Sequence, residues 1–336
     1  MQARPSTAPP PILDMHVHVV GNGSGGTGCW IRTPAWRWPL QAFMARHIGL
    51  PVSALKGDLD RLFAERLVEL VRGSSLDAAV ILAQEQVYDE HGKLMEGVGT
   101  AHVPNDYVFK LARENPDIFL PAASIHPARP DALEELDRCL AAGAVMLKIL
   151  PNCQNIDCNL PKYRRFWERL AEARLPLLAH TGGEHTLQVV RPDLATPRML
   201  KLPLECGVNV IAAHCATKSG LFDPQYFDEL VAMLEKFPNL YADNSALNVP
   251  IRGRVIPRTL APGIVERLVH GSDFPVPVKG VWAWMRGLVN WKTYHRWESH
   301  PNPLERDYQL KLAMGYPKET FTRINGLLRK PRPATT

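Results

Sequence analysis

The run Asp14-Met15-His16-Val17-His18 sets two imidazoles at i and i+2 inside an apolar stretch. Side chains alternate faces along an extended strand, so His16 and His18 leave it on the same side. Imidazole is the commonest protein ligand for zinc and similar ions, and two on one face make half a metal site. Other apolar runs end in groups of the same chemistry: His180 after Leu177-Leu178-Ala179, His214 after Ile211-Ala212-Ala213, and Asp273 in His270-Gly271-Ser272-Asp273. Lys148 stands inside the apolar run Ala144–Leu150. Taken singly, each has a plain structural reading: a core histidine, a snorkelling lysine, an aspartate capping a turn. Together, at corresponding ends of successive runs, they are donors placed to converge on an ion.

The elements that would position them alternate along the whole chain. Strand-like runs cover Ile12–Val20, Ala78–Ala83, Phe119–Ile125, Ala144–Leu150, Pro176–His180, Val208–Ala213, Leu240–Ala242 and Arg267–His270. Amphipathic stretches of helical period lie between them: Leu59–Val71, Asp106–Glu114, Asp131–Ala142, Tyr163–Ala173, Pro197–Cys206, Gln225–Lys236 and Thr259–Val265. Leu304–Met314 and Lys318–Leu328 follow the last run. Asn105, Asp131 and Asp223 stand where helices should start, and Gly73 and Gly143 where they should stop. Eight such alternations predict an α/β fold, a closed (β/α)8 TIM barrel over residues 12–330, in which catalytic groups come from the carboxyl ends of the strands. Long loops are expected after strands 1 and 8, at about 21–57 and 276–302. Residues 1–11, proline-rich, read as a disordered lead-in. The glycine-rich Gly21–Gly28 has no helix pattern behind it, so it reads as a mobile loop over the barrel mouth and not as a phosphate-binding turn.

Composition narrows the function classes. The 336 residues carry 39 basic and 34 acidic side chains, a net charge of +5, and no lysine/arginine run resembling a nucleic-acid patch. No apolar stretch is long enough to span a bilayer. The cysteines at 29, 139, 153, 158, 206 and 215 form no C-x-x-C pair, which points to free thiols and a cytoplasmic location.

The motifs D-M-H-V-H, L-L-A-H-T-G, I-A-A-H-C and H-G-S-D-F-P, in this order and spacing, resemble the amidohydrolase superfamily, in particular its aminocarboxymuconate-semialdehyde decarboxylase-like branch. The resemblance runs from Ile12 to about Leu328. It implies His16, His18, His180 and Asp273 as ligands of a divalent metal, with His214 a second-metal ligand or an acid/base. Asp273 would also take a proton from metal-activated water. Lys148 is carboxylated and bridges two ions in binuclear members, and stays unmodified in many mononuclear ones. Zinc suits three imidazoles and a carboxylate best; manganese, iron or cobalt also fit, as one ion or two.

The implied activity is hydrolysis of an amide, lactone or ester-like bond of a small carboxylated or cyclic substrate. The alternative is a lyase: decarboxylation or hydration of an aromatic or unsaturated acid. Candidate substrate contacts are Asn152, Glu184, His185, Arg252, Arg254 and Trp282. The arginines suit a carboxylate. Trp282 belongs to a tryptophan-rich segment that fits either a pocket wall or an oligomer interface. His126 reads as structural. A homodimer is expected by analogy with the branch.

Overall fold

The computed structural model describes residues 9–330; most of the lead-in, residues 1–8, lies outside them. The expected alternation folds into one eight-stranded parallel sheet in chain order. Its strands are β1 (Leu13–His18), β2 (Ala78–Leu82), β3 (Phe119–Ala123), β4 (Met146–Ile149), β5 (Leu177–Ala179), β6 (Val210–Ala212), β7 (Leu240–Asp243) and β8 (Leu268–Val269). The sheet closes just past β8. Met15 N–H donates to the His270 carbonyl, Asp273 N–H to the His16 carbonyl, and His18 N–H to the Phe274 carbonyl. The seam is therefore made by residues adjoining, or belonging to, the expected ligand set.

Two cores follow from strand alternation. Met15, Val80, Ala122, Met146, Leu178, Ile211 and Val269 fill the barrel, with Ile324 packed among them. Val17, Ile81, Leu147, Leu177 and Val210 instead pack outward under the helices. β1 does not alternate strictly. Its register against β2 shifts between Asp14 and Val17. Leu13 and Met15 face the inner core, and beyond the irregularity Val17 and Val19 face the outer one. This change of parity is what a bulge does, and it turns His16 and His18 inward above Met15.

The helices are mostly those expected, but Pro197–Cys206 divides into a 3-10 turn, Pro197–Leu200, and a short helix, Lys201–Glu205. Thr259–Val265 is not a continuous helix: a single turn, Ile256–Thr259, is followed by a 3-10 turn at Val265–Arg267. Pro262 removes a backbone donor and Gly263 takes φ +84°, which stops the helix between them. The long loops also carry structure. Segment 21–57 contains a strand, Trp30–Ile31, paired antiparallel with Ala101–His102, and a helix, Trp38–His47. Segment 276–302 contains helices Val281–Met285 and Trp291–Glu298. Gly21–Gly28 is held, contrary to the expectation of a mobile loop. The buried Asp60 carboxylate accepts from the N–H groups of Asn22, Gly23 and Gly25 and from the Thr27 hydroxyl. No helix among the described residues is long and apolar enough to cross a membrane.

Candidate metal centre and active-site cavity

Three donor atoms meet at the carboxyl end of the barrel. His16 Nε2 lies 3.2 Å from His18 Nε2 and 3.2 Å from Asp273 Oδ1, and His18 Nε2 lies 3.3 Å from the same oxygen. A tetrahedral ion with ligands at ~2.0–2.1 Å spaces them ~3.3 Å apart. The triangle therefore has the edge lengths that one ion requires. A second pair stands beside it: His180 Nδ1 is 3.2 Å from His214 Nε2. His180 Nε2 is buried with no hydrogen-bond partner. Lys148, inward on β4 like Met146 two residues before it, brings Nζ to 3.1 Å from His16 Nε2.

The protonation states suit ligation. Burial holds the His16 and His214 imidazoles far below the ordinary histidine range and lowers His180 to about 3, so all three are neutral near pH 7. Burial also lowers Lys148 to about 8, against the attraction of Asp273 and Asp243. For Asp273 burial acts upward, but His16, His18 and Lys148 outweigh it and hold the carboxyl below its ordinary value. Neutral imidazoles beside an ionised carboxylate are the donor set of a divalent cation, and zinc fits them well.

Two residues behind this set were not foreseen in the sequence. Asp243, the last residue of β7, accepts from His16 Nδ1 at 2.8 Å through Oδ2. That bond fixes the His16 proton on Nδ1 and leaves the Nε2 lone pair toward the triangle. The other oxygen of Asp243 accepts from the His214 and Ser245 amides and from the Ser245 hydroxyl at 2.5 Å. Ser245 Oγ in turn lies 2.7 Å from His214 Nδ1. With its own proton on Asp243, Ser245 accepts there, so His214 carries its proton on Nδ1 and presents Nε2 bare. One carboxylate thus sets the tautomers of two imidazoles, one on β1 and one in the turn after β6.

The backbone is strained at the same points. His214, Cys215 and Ala216 take φ of 58°, 50° and 51° in succession, and Asp273 takes 66°. A non-glycine residue in the left-handed region costs ~1–3 kcal/mol and persists only where its surroundings impose it. Here the His214 amide on Asp243, the Cys215 thiol on the Asp243 carbonyl, and the closing seam at Asp273 impose it. Gly271 is required by close approach: a Cβ there would lie 2.5 Å from the His16 Cβ.

A cavity of about 190 Å³ opens above these groups, with His18, His180, Glu184, His214 and Asp273 in its floor and walls. Glu184 accepts the Leu187 amide through Oε1 and sets Oε2 3.8 Å from His180 Nε2. The other expected substrate contacts lie outside this cavity. Arg252 is buried and donates to the carbonyls of Thr217 and Gly183. Arg254 is exposed, and His185 pairs with Asp223 at 2.9 Å on the surface. Asn152 is buried, its backbone carbonyl accepting from Val190 and Arg191 and its side-chain oxygen unpartnered. Trp282 gives its carbonyl to Arg286; of its neighbours, Trp284 stacks on Tyr294 and Trp291 meets that ring at a tilt, both indoles being exposed. No tryptophan among the described residues lines the cavity. Of the two readings of the tryptophan-rich segment, the pocket wall is not what lines this cavity: the wall is mainly aliphatic, supplied by segment 21–57 and the start of the helix after it. His126 is structural: Nε2 donates to the Gln154 carbonyl and Nδ1 accepts from the Ala128 amide.

The sequence profile of the amidohydrolase family matches residues 13–298. No functionally curated protein sequence matches the chain. Among solved structures, it is similar to an uncharacterised TIM-barrel protein of Bordetella bronchiseptica, at 17% identity over 89% of this chain and 99% of that one, with a TM-score of 0.56. It is also similar to a 5-carboxyvanillate decarboxylase of Sphingomonas paucimobilis, at 12% identity over 95% of this chain and 98% of that one, with a TM-score of 0.54. At such identities the likeness is one of fold.

Proposed function

The chain belongs to the amidohydrolase family, and on that premise we propose that it is a metal-dependent hydrolase of an ester, lactone or amide bond. The observation that carries the reading is the triangle of His16 Nε2, His18 Nε2 and Asp273 Oδ1, open to a cavity on one side. His180 adds a further imidazole donor beside it.

When bound, a divalent ion supplies Lewis acidity, polarising the substrate carbonyl and making water acidic near neutral pH. Asp273, kept ionised by its neighbours, takes the proton that the attacking water gives up and returns it to the departing oxygen or nitrogen. His214, fixed through Ser245, offers Nε2 as the second proton-holding atom in the cavity wall. His16, oriented by Asp243, is the buried corner of the triangle.

A decarboxylase would need a cation fixed on the substrate carboxylate. Arg252 and Arg254, the arginines expected to hold a carboxylate, do not line the cavity, and Arg37, which does, is engaged by the Thr186 carbonyl, which favours hydrolysis over the lyase alternative. The reading is tested on protein purified without chelator, by elemental analysis together with turnover of a panel of esters, lactones and amides. At least one divalent ion per chain is expected, lost with activity on chelation and restored by zinc, manganese or cobalt. Hydrolysis by metal-free protein, or carbon dioxide release from aromatic acids with no hydrolysis, would overturn it.

A further inference from the structure

The cavity tells what kind of molecule the proposed hydrolysis serves, an inference that rests on that reading. Its upper wall comes from segment 21–57 and the helix that follows. Leu40 and Met44 come from the helix Trp38–His47, Leu55 from the turn after it, and Leu59 and Phe63 from the helix Leu59–Arg72. Ile48 closes the gap between them.

The polar side chains in this upper wall are already engaged with the protein. Gln41 donates to Thr33 Oγ1 at 2.7 Å, and Gln84 donates to the Ala101 carbonyl at 3.1 Å. Thr100 Oγ1 accepts the Gln188 amide at 2.7 Å. Arg37, the one cation among the described residues lining the cavity, donates to the Thr186 carbonyl at 2.7 Å and lies over the Trp36 ring. It ties the segment after β1 to the segment after β5 across the mouth. What is left for a ligand is hydrocarbon above and the histidine–aspartate floor below.

We propose that the substrate is a neutral ester, lactone or amide whose non-reacting part is an aliphatic chain or ring without a carboxylate. The reacting carbonyl would sit on the floor formed by His18, His180, His214 and Asp273, and the hydrocarbon against Leu40, Met44, Ile48, Leu55, Leu59 and Phe63. Moving hydrocarbon from water to such a wall is favourable in proportion to its area. Moving a carboxylate there, against a wall whose one cation among the described residues, Arg37, is already held by the Thr186 carbonyl, is unfavourable.

The test uses the full, metal-loaded chain. Its kcat/KM is measured on 4-nitrophenyl acetate, butanoate and hexanoate, and on the 4-nitrophenyl half-ester of adipic acid, which adds a terminal carboxylate. In parallel, calorimetry follows binding of butanone, hexan-2-one and octan-2-one, which cannot be hydrolysed. The expected result is a rise of about fourfold in kcat/KM per added methylene, and at least a tenfold loss for the half-ester relative to hexanoate. Met44→Lys should reverse that preference by placing a cation in the wall. A flat series, or a wild-type preference for the half-ester, overturns the proposal. Should no ester, lactone or amide be cleaved, the hydrolase reading fails, and the ketones alone decide the wall. Affinity rising with chain length upholds it, and equal affinities overturn it.

Discussion

The Asp243 carboxylate stands 2.8 Å from His16 Nδ1, while its other oxygen holds the hydroxyl that orients His214. A single side chain at the end of β7 therefore aims imidazoles from β1 and from the turn after β6. Replacing Asp243 by Asn keeps the shape but loses the charge, and an amide cannot accept at both ends without placing its N–H₂ against one of them. Metal affinity, read by competition with a chromophoric chelator, should fall by about 10–100-fold. Unchanged affinity would mean that His16 is oriented by something else.

Asp273→Asn removes the proton acceptor while leaving one oxygen able to face the histidine pair. Hydrolysis should fall by about 10²–10⁴-fold, while the thermal midpoint stays within a few degrees of the parent. Retained turnover would exclude Asp273 from proton transfer.

Gly271→Ala would drive a methyl into the His16 Cβ, with which it would be only 2.5 Å apart, and into the Ser245 Cβ at 3.3 Å. The neighbours are themselves Cβ atoms on a closed seam, so the strain cannot be relieved by rotating a side chain. A loss of about 1–3 kcal/mol in urea denaturation is expected, together with weaker metal binding. A neutral effect on both would show that β1 and β8 can separate freely.

His126 gives a pH signature away from the metal centre. Both ring nitrogens are satisfied only in the neutral form, since Nδ1 accepts from Ala128, and burial lowers the group to about 4. The folded state thus resists a proton that the unfolded chain binds near pH 6.5. Stability from this residue is full above pH 6.5, declines as pH falls through that value toward 4, and totals about 3 kcal/mol over the window. His126→Gln should be less stable at pH 7 and show a flatter dependence of its urea midpoint between pH 6.5 and 4. An equally steep profile would assign the pH dependence to other groups.

The barrel strands were legible because each is a short apolar run bounded by helical period, and His16, His18, His180, His214 and Asp273 because they end those runs. Asp243 was not, since the apparent run Leu240–Ala242 stops one residue before it and nothing local distinguishes it from a turn aspartate. Ser245 matters only through two contacts made in space. Arg252 misled because guanidinium chemistry suits both a substrate anion and a set of orphaned carbonyls, and only burial shows which is served. The reversal of parity in β1 and the Asp60 carboxylate under Gly21–Gly28 likewise depend on partners distant in sequence.

The closing seam has a consequence for how the protein matures. His16 and His18 belong to the first strand of the barrel, whereas Asp273, whose amide binds the His16 carbonyl, follows the last. A nascent chain holds two imidazoles without their carboxylate until the last strand arrives and shuts the cylinder. The complete triangle of donor atoms therefore exists only in chains whose barrel has closed.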